Sequence, residues 1–256
     1  MPLIAQLLFV TLLALCKSGA AAVKTLPVDK HARATSTGIR MTYYKPGKGS
    51  VPTKEAKLLN AQYPNKGEIT LLINVATPHQ GCYVFLFKEK IISETHHGGD
   101  SSDVYGTLPN GTFGVVRRDY NEPYTTTIKN LYGYILAEDH GGYVEKRKFQ
   151  DFGNEVYFPE FLYDYCLVDD ADGNGDPEFY LTYFGLSDGL DAKPLKVIVY
   201  SSSCPKAKAT AYYPGGNEDD VYYVTYDDSW SMLPKKIQQR ANAIIKEVKD
   251  KGLIDI

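Results

Sequence analysis

The chain has 256 residues, of which 43% are hydrophobic and 23% are charged. This composition is typical of a folded globular protein and excludes an intrinsically disordered chain. The formal net charge is −3, and no basic stripe runs along the sequence. Nucleic acid is therefore not an expected partner, because nothing in the pattern would neutralise its phosphates.

Residues 1–22 have the pattern of a signal peptide. Leu3 to Leu15 is apolar at all but two positions, which is too short to cross a bilayer comfortably but suits a signal-peptide core. Ala20, Ala21 and Ala22 follow, and their small side chains predict cleavage before Val23. We expect an exported protein, periplasmic or extracellular, since no other stretch is apolar enough to predict a membrane span.

The four cysteines bear on export in two ways. Leu15 precedes Cys16, whereas a lipoprotein signal places a small residue there, so lipid attachment at Cys16 is disfavoured. Loss of Cys16 with the signal peptide leaves Cys82, Cys166 and Cys204. In an oxidising compartment these three allow at most one intramolecular disulfide, and the sequence leaves the pairing open.

The remainder of the chain divides into a polar leader and one β-rich domain. Residues 23–50 are polar and predict a leader or tether, with a first strand at Ile39 to Tyr44. Residues 51–256 predict a single domain that ends in a helix. A short helix is expected near its start, over Thr53 to Tyr63, because Pro64 cannot continue it.

Most of the domain is predicted to be β-strand. Ile69 to Ala76 and Cys82 to Phe87 are nearly continuous apolar runs, typical of strands covered on both faces. Turn residues separate the further predicted strands: Phe113–Arg117, Thr125–Lys129, Gly133–Ala137, Tyr143–Phe149, Phe161–Val168, Phe179–Phe184, Leu195–Ser201, Lys208–Tyr213 and Val221–Tyr226. The expected fold is mainly β, with antiparallel sheets in a sandwich or a partial propeller.

The pattern changes to a helical one at the C-terminus. Apolar residues recur at helical spacing, with Lys and Gln opposite them, at Ile237, Ala241, Ile244, Ile245 and Val248. Pro234 suits the first turn and Gly252 is a natural stop. An amphipathic helix over residues 234–251 is therefore predicted to pack on the sheet.

One acidic turn carries the clearest chemical pattern. Asp170, Asp172 and Asn174 are spaced by two and followed by Gly175, so that their oxygens can converge on one hard cation while the glycine turns the chain. The carbonyl of Asp176 and the carboxylate of Glu178 come next in the ligand order. The predicted metal is calcium, and the predicted ligands are Asp170, Asp172, Asn174, Asp176 and Glu178.

The turn is not an EF-hand, because Leu181 occupies the position of the bidentate glutamate. The missing ligand predicts a weak site, with a dissociation constant of roughly 10⁻⁴–10⁻³ M. The alternative is an acidic hairpin without metal, since Asp, Asn and Gly are also the residues that turns require.

The sequence from Asp170 to Glu178, Asp-Ala-Asp-Gly-Asn-Gly-Asp-Pro-Glu between two strands, resembles the calcium loop of FG-GAP-type repeats in integrin-like β-propellers. Only one such loop is present, which argues against a full propeller. The wider stretch from Gly142 to Tyr200 resembles a family of exported bacterial proteins loosely named for surface polysaccharide biosynthesis. The matching order is Gly-Gly-Tyr-Val-Glu-Lys-Arg, Asp-Phe, the acidic turn, Phe-Tyr-Leu-Thr-Tyr-Phe, Ser-Asp-Gly-Leu-Asp and Leu-Lys-Val-Ile-Val-Tyr. This resemblance implies an envelope protein with a β domain and a C-terminal helix, and implies no activity.

Two functions are compatible with these patterns. The first is a non-enzymatic binding or structural module, exported and stabilised by calcium, whose partner is a polysaccharide or an envelope protein. The second is an enzyme that acts on surface polysaccharide through a pair of carboxylates, Asp188 and Asp191. The first is favoured because the sequence does not fix the separation of these two carboxylates, on which glycosidase chemistry depends.

Overall fold

A computed structural model describes residues 29–46, 53–109, 111–187, 191–215 and 221–253. The predicted class is confirmed: the protein is mainly β, with antiparallel sheets that do not close and a C-terminal helix. Its two main sheets stack face to face, with one helix on each outer surface. The arrangement is therefore a sandwich of four layers.

The first sheet has the strand order β1-β2-β3-β4-β7-β8, with every neighbouring pair antiparallel. Its strands are β1 (Asp29–Ala34), β2 (Arg40–Lys45), β3 (Glu68–Ala76), β4 (Cys82–His97), β7 (Tyr124–Asp139) and β8 (Gly142–Phe152). The outer halves of β4 and β7 extend towards a separate hairpin, formed by β5 (Asp100–Thr107) and β6 (Phe113–Asn121).

The second sheet is built around β11 (Glu178–Ser187), β12 (Lys193–Tyr200), β13 (Ala207–Tyr213) and β14 (Tyr223–Tyr226), in that order. Two short strands share the free edge of β11. They are β9 (Tyr157–Phe161), which pairs with its C-terminal half, and β10 (Leu167–Asp169), which pairs with its beginning.

Each outer face is covered by a helix because each sheet is apolar on both faces. Helix α1 (Lys54–Gln62) is capped by Thr53 and packs on the first sheet through Ala56 and Leu59. Helix α2 (Lys235–Asp250) packs on the second sheet through its apolar stripe, as predicted. Burial on both sides explains why the sequences of β3 and β4 are nearly continuous apolar runs.

The core between the sheets joins the two halves of the molecule. It combines Phe85 and Phe87 of the first sheet with Phe179, Leu181 and Ile198 of the second. The aromatic rings meet edge to face, and the Phe85 and Phe179 centroids lie 5.4 Å apart at 85°. This contact makes the fold a sandwich and not a partial propeller.

Three local expectations differ from the structure. The strand predicted at Ile39 to Tyr44 is present as β2, but the sheet begins before it with β1, in a part of the leader where no strand was predicted. The predicted strand from Phe161 to Val168 is interrupted by a 3-10 turn at Tyr163–Tyr165. The two strands predicted between Thr125 and Ala137 are one continuous strand, β7. No helix within the described ranges is long and apolar enough to cross a membrane.

Candidate metal centre

The acidic turn is the loop between β10 and β11, whose last paired residues are Asp169 and Glu178. Gly173 and Gly175 have φ angles of 79° and 86°, a conformation that glycine adopts at little cost. They let the chain curl so that main-chain N–H groups point at the side chain of Asp170. Its Oδ1 accepts from Gly173 N at 3.0 Å and its Oδ2 from Gly175 N at 3.1 Å.

Three carboxylates converge inside this loop. One carboxylate oxygen from each of Asp170, Asp172 and Glu178 lies within 4.8 Å of the others. Among the described residues, no lysine or arginine forms a salt bridge with any of the three. The arrangement is an all-oxygen cluster of negative charge, which is the donor type that hard divalent cations prefer.

Glu178 is the buried member of the cluster. Only 1% of its surface is exposed, and its Oε2 accepts from Ala171 N at 2.7 Å. Burial, reinforced by the negative charges of Asp172 and Asp170, raises the pKa of Glu178 to about 8. The hydrogen bond from Ala171 only partly offsets the cost of ionising this side chain, and a bound cation would offset more of it.

The side chains of the other two predicted ligand residues, Asn174 and Asp176, form hydrogen bonds with other residues. The Asn174 amide donates to Asp172 Oδ2 at 3.1 Å, and its oxygen accepts from Asp176 N at 2.6 Å. The carboxylate of Asp176 accepts a hydrogen bond from Gln80 and lies outside the three-carboxylate group. The ligand predicted at this position is the main-chain carbonyl of Asp176, and that stays a prediction. The side chains that the structure brings together are thus those of Asp170, Asp172 and Glu178.

Hydrogen bonds from residues distant in the chain connect the loop to the first sheet and to α2. Thr37, in the turn between β1 and β2, donates to Asp170. From α2, Lys236 Nζ donates to the carbonyl of Asp172 at 3.2 Å, and Arg240 Nε to Asp169 Oδ2 at 3.0 Å. Sequence reasoning missed these residues because Thr37 lies 133 positions and Lys236 64 positions away in the chain.

The described residues contain one of the two carboxylates predicted for the enzymatic alternative, so the Asp188–Asp191 pair stays a prediction. Asp188 and the signal-peptide segment with Cys16 lie outside the described residues, and Asp191 is exposed. Cys166 is buried in the core between the sheets, whereas Cys204 is buried between the second sheet and α2. These two free thiols lie on opposite faces of the second sheet.

No known family, curated protein or solved structure shows detectable similarity to this chain. The resemblance to exported envelope proteins therefore stays a prediction from the sequence.

Proposed function

We propose that this protein is an exported binding or structural module whose β10–β11 loop is stabilised by calcium. One observation carries the proposal: the carboxylates of Asp170, Asp172 and Glu178 lie within 4.8 Å of one another, and Glu178 is buried. Ionised carboxylates at such a distance repel one another. Burial increases the free-energy cost of ionising them unless a bound cation offsets it.

Calcium fits this donor set better than other common metals. All the candidate ligand atoms are oxygens, whereas zinc and copper favour sites with histidine or cysteine. The loop contains two glycines and is held mainly by hydrogen bonds to its own backbone, and calcium tolerates such flexible, irregular geometry better than magnesium does. Water would complete the coordination shell.

The position of the loop supports a structural role for the metal. It connects two strands of the second sheet, contacts the first sheet through Thr37 and Gln80, and contacts α2 through Lys236. A cation bound here would stabilise the contacts among the two sheets and α2 at one end of the sandwich. A weak site fits export, since extracellular calcium-binding modules have dissociation constants of roughly 10⁻⁴–10⁻³ M. The sequence resemblance makes a polysaccharide or an envelope protein the proposed partner.

Thermal unfolding tests the metal directly. At ~10 mM calcium, which is ~10–100 times the expected dissociation constant, linkage adds about 1.4–2.7 kcal/mol to the free energy of unfolding. The midpoint should rise by roughly 3–10 °C relative to EDTA. The same concentration of magnesium should have a much smaller effect.

Two matched variants assign the effect to the loop. Asp172→Asn removes one charge of the cluster and should abolish most of the rise. Asp119→Asn changes a partly exposed aspartate on β6 that pairs with Arg117 and should leave the rise intact. Equal melts of the unmodified protein in EDTA, magnesium and calcium would refute the calcium site.

A further inference from the structure

A cleft of about 210 Å³ opens between the two sheets, next to the acidic loop. Besides Gln80, its polar lining includes Lys146, Arg147, Asp176, Tyr200, Ser201 and Ser202. The two cations outnumber the single carboxylate, and that carboxylate is already hydrogen-bonded to Gln80. The cleft is thus locally positive in a chain whose net charge is −3.

A β-bulge places both cations on this cleft. Ile135 of β7 pairs with Arg147 and Leu136 pairs with Glu145, so that Lys146 is the additional residue of β8. Adjacent side chains of a regular strand point to opposite faces. A bulge changes this alternation and redirects side chains, which allows Lys146 and Arg147 to line one cleft.

The Arg147 guanidinium is held in place without being neutralised. Its Nε donates to the carbonyl of Pro205 at 3.2 Å, and its Nη1 donates to the carbonyl of Lys146 at 2.8 Å. No carboxylate in the described part of the chain forms a salt bridge with Lys146 or Arg147. The positive charge therefore remains available to a ligand.

Tyr200 adds a polar group that needs a partner. It is 4% exposed, and its buried hydroxyl has no hydrogen-bond partner among the described residues. Burial raises its pKa, so the hydroxyl stays protonated and able to donate. Other buried tyrosine hydroxyls also lack partners, and Tyr200 is distinguished from them by sharing a cleft with Lys146 and Arg147.

We propose that this cleft binds a ring-sized ligand that bears a carboxylate or another oxyanion. A guanidinium with nearby hydroxyls matches the geometry and charge of an oxyanion. Tyr83 and Phe179 also line the cleft and offer an apolar wall to the body of the ligand. The volume lies below the roughly 300–1,000 Å³ of sites for drug-sized molecules, which suits contact with one ring-sized unit of a ligand.

This inference gives the proposed module a class of ligand, and for its biological meaning it rests on the proposed function. The two proposals can nevertheless fail separately. Asp176 lines the cleft and its carbonyl is a predicted calcium ligand, but Lys146 and Arg147 are not candidate metal ligands. Binding of an acid is therefore expected without calcium as well as with it.

Isothermal titration of the metal-free full chain, dialysed into calcium-free buffer to remove the chelator, tests the cleft with three small molecules. Glucuronate carries a carboxylate on a ring, glucose 6-phosphate carries a phosphate, and glucose carries no charge. We expect one or both acids to bind with one site per chain, more weakly at high salt, and glucose not to bind. The acid that binds identifies the oxyanion. Absence of binding by both acids, or equal binding of glucose, would overturn the proposal.

Three variants locate the binding. Arg147→Gln should weaken it by roughly 10–100-fold, as expected for loss of a charge-assisted contact, while Arg117→Gln on β6 should have no effect. Tyr200→Phe should weaken it by a smaller factor without lowering the melting temperature, because the hydroxyl has no partner in the described protein. If Arg147→Gln fails to fold, Lys146→Gln takes its place. Unchanged affinity in the folded cation variant would show that the acid binds elsewhere and would overturn the assignment.

Discussion

Replacing Leu181 with alanine is expected to lower the free energy of unfolding by about 2–5 kcal/mol. Leu181 lies on β11 in the core between the two sheets and is 0% exposed. Truncation would leave a cavity at the contact that holds the sandwich together. Urea unfolding followed by circular dichroism measures the change. The matched control is Leu58→Ala on α1, where the side chain is 51% exposed and the change should stay within about 0.5 kcal/mol.

A second substitution opposite Leu181 tests the contact itself. A Cβ atom added to Gly133 of β7 would lie 2.8 Å from Leu181 Cδ1, so Gly133→Ala should cost about 1–3 kcal/mol by overpacking. In the double variant the new methyl group would fill part of the cavity. The combined loss should fall short of the sum of the single losses by about 0.5–3 kcal/mol. Strict additivity would mean that the two sheets do not meet as described.

The stability of the metal-free protein is expected to fall as pH rises from about 4.5 to about 8. Folding raises the pKa of Glu178 from 4.5 to about 8, so between these values the folded state retains a proton that the unfolded state has lost. Stability then decreases with pH by up to about 1.4 kcal/mol per pH unit. The stabilising contribution is full below pH 4.5 and is lost once pH exceeds about 8.

Urea unfolding in EDTA at several pH values measures this slope. Glu178→Gln should remove the contribution of Glu178, whereas Glu94→Gln, at an exposed position on β4, should retain it. Saturating calcium should flatten the slope of the unmodified protein, because a bound cation keeps Glu178 ionised. A Glu178→Gln variant with an unchanged slope in EDTA would show that other groups produce the pH dependence.

The parts of the fold that sequence predicted are those with local signals. In β3, β4 and α2, the spacing of the apolar residues along the chain indicates which residues are buried. In the acidic loop, Asp170, Gly173 and Gly175 are residue types that indicate a turn. Burial and turn formation at these positions depend on neighbours close in the chain, and there the prediction and the structure agree.

The parts that sequence missed depend on distant partners. Strand β1 has the polar sequence Asp-Lys-His-Ala-Arg-Ala, which has no strand pattern of its own. It is an edge strand because it pairs with β2. The pairing of β4 with β7 spans the inserted β5–β6 hairpin, which no local pattern encodes. The cleft likewise depends on the register shift at Lys146 and on Tyr200 approaching from the other sheet.

Calcium titration of the metal-free chain by calorimetry measures whether the β10–β11 loop binds the cation. We expect saturable binding at one site per chain, with a dissociation constant of roughly 10⁻⁴–10⁻³ M, and loss of that binding in a variant that combines Asp170→Asn with Asp172→Asn. Absence of saturable binding, or binding that survives in this double variant, would contradict a calcium site in the β10–β11 loop.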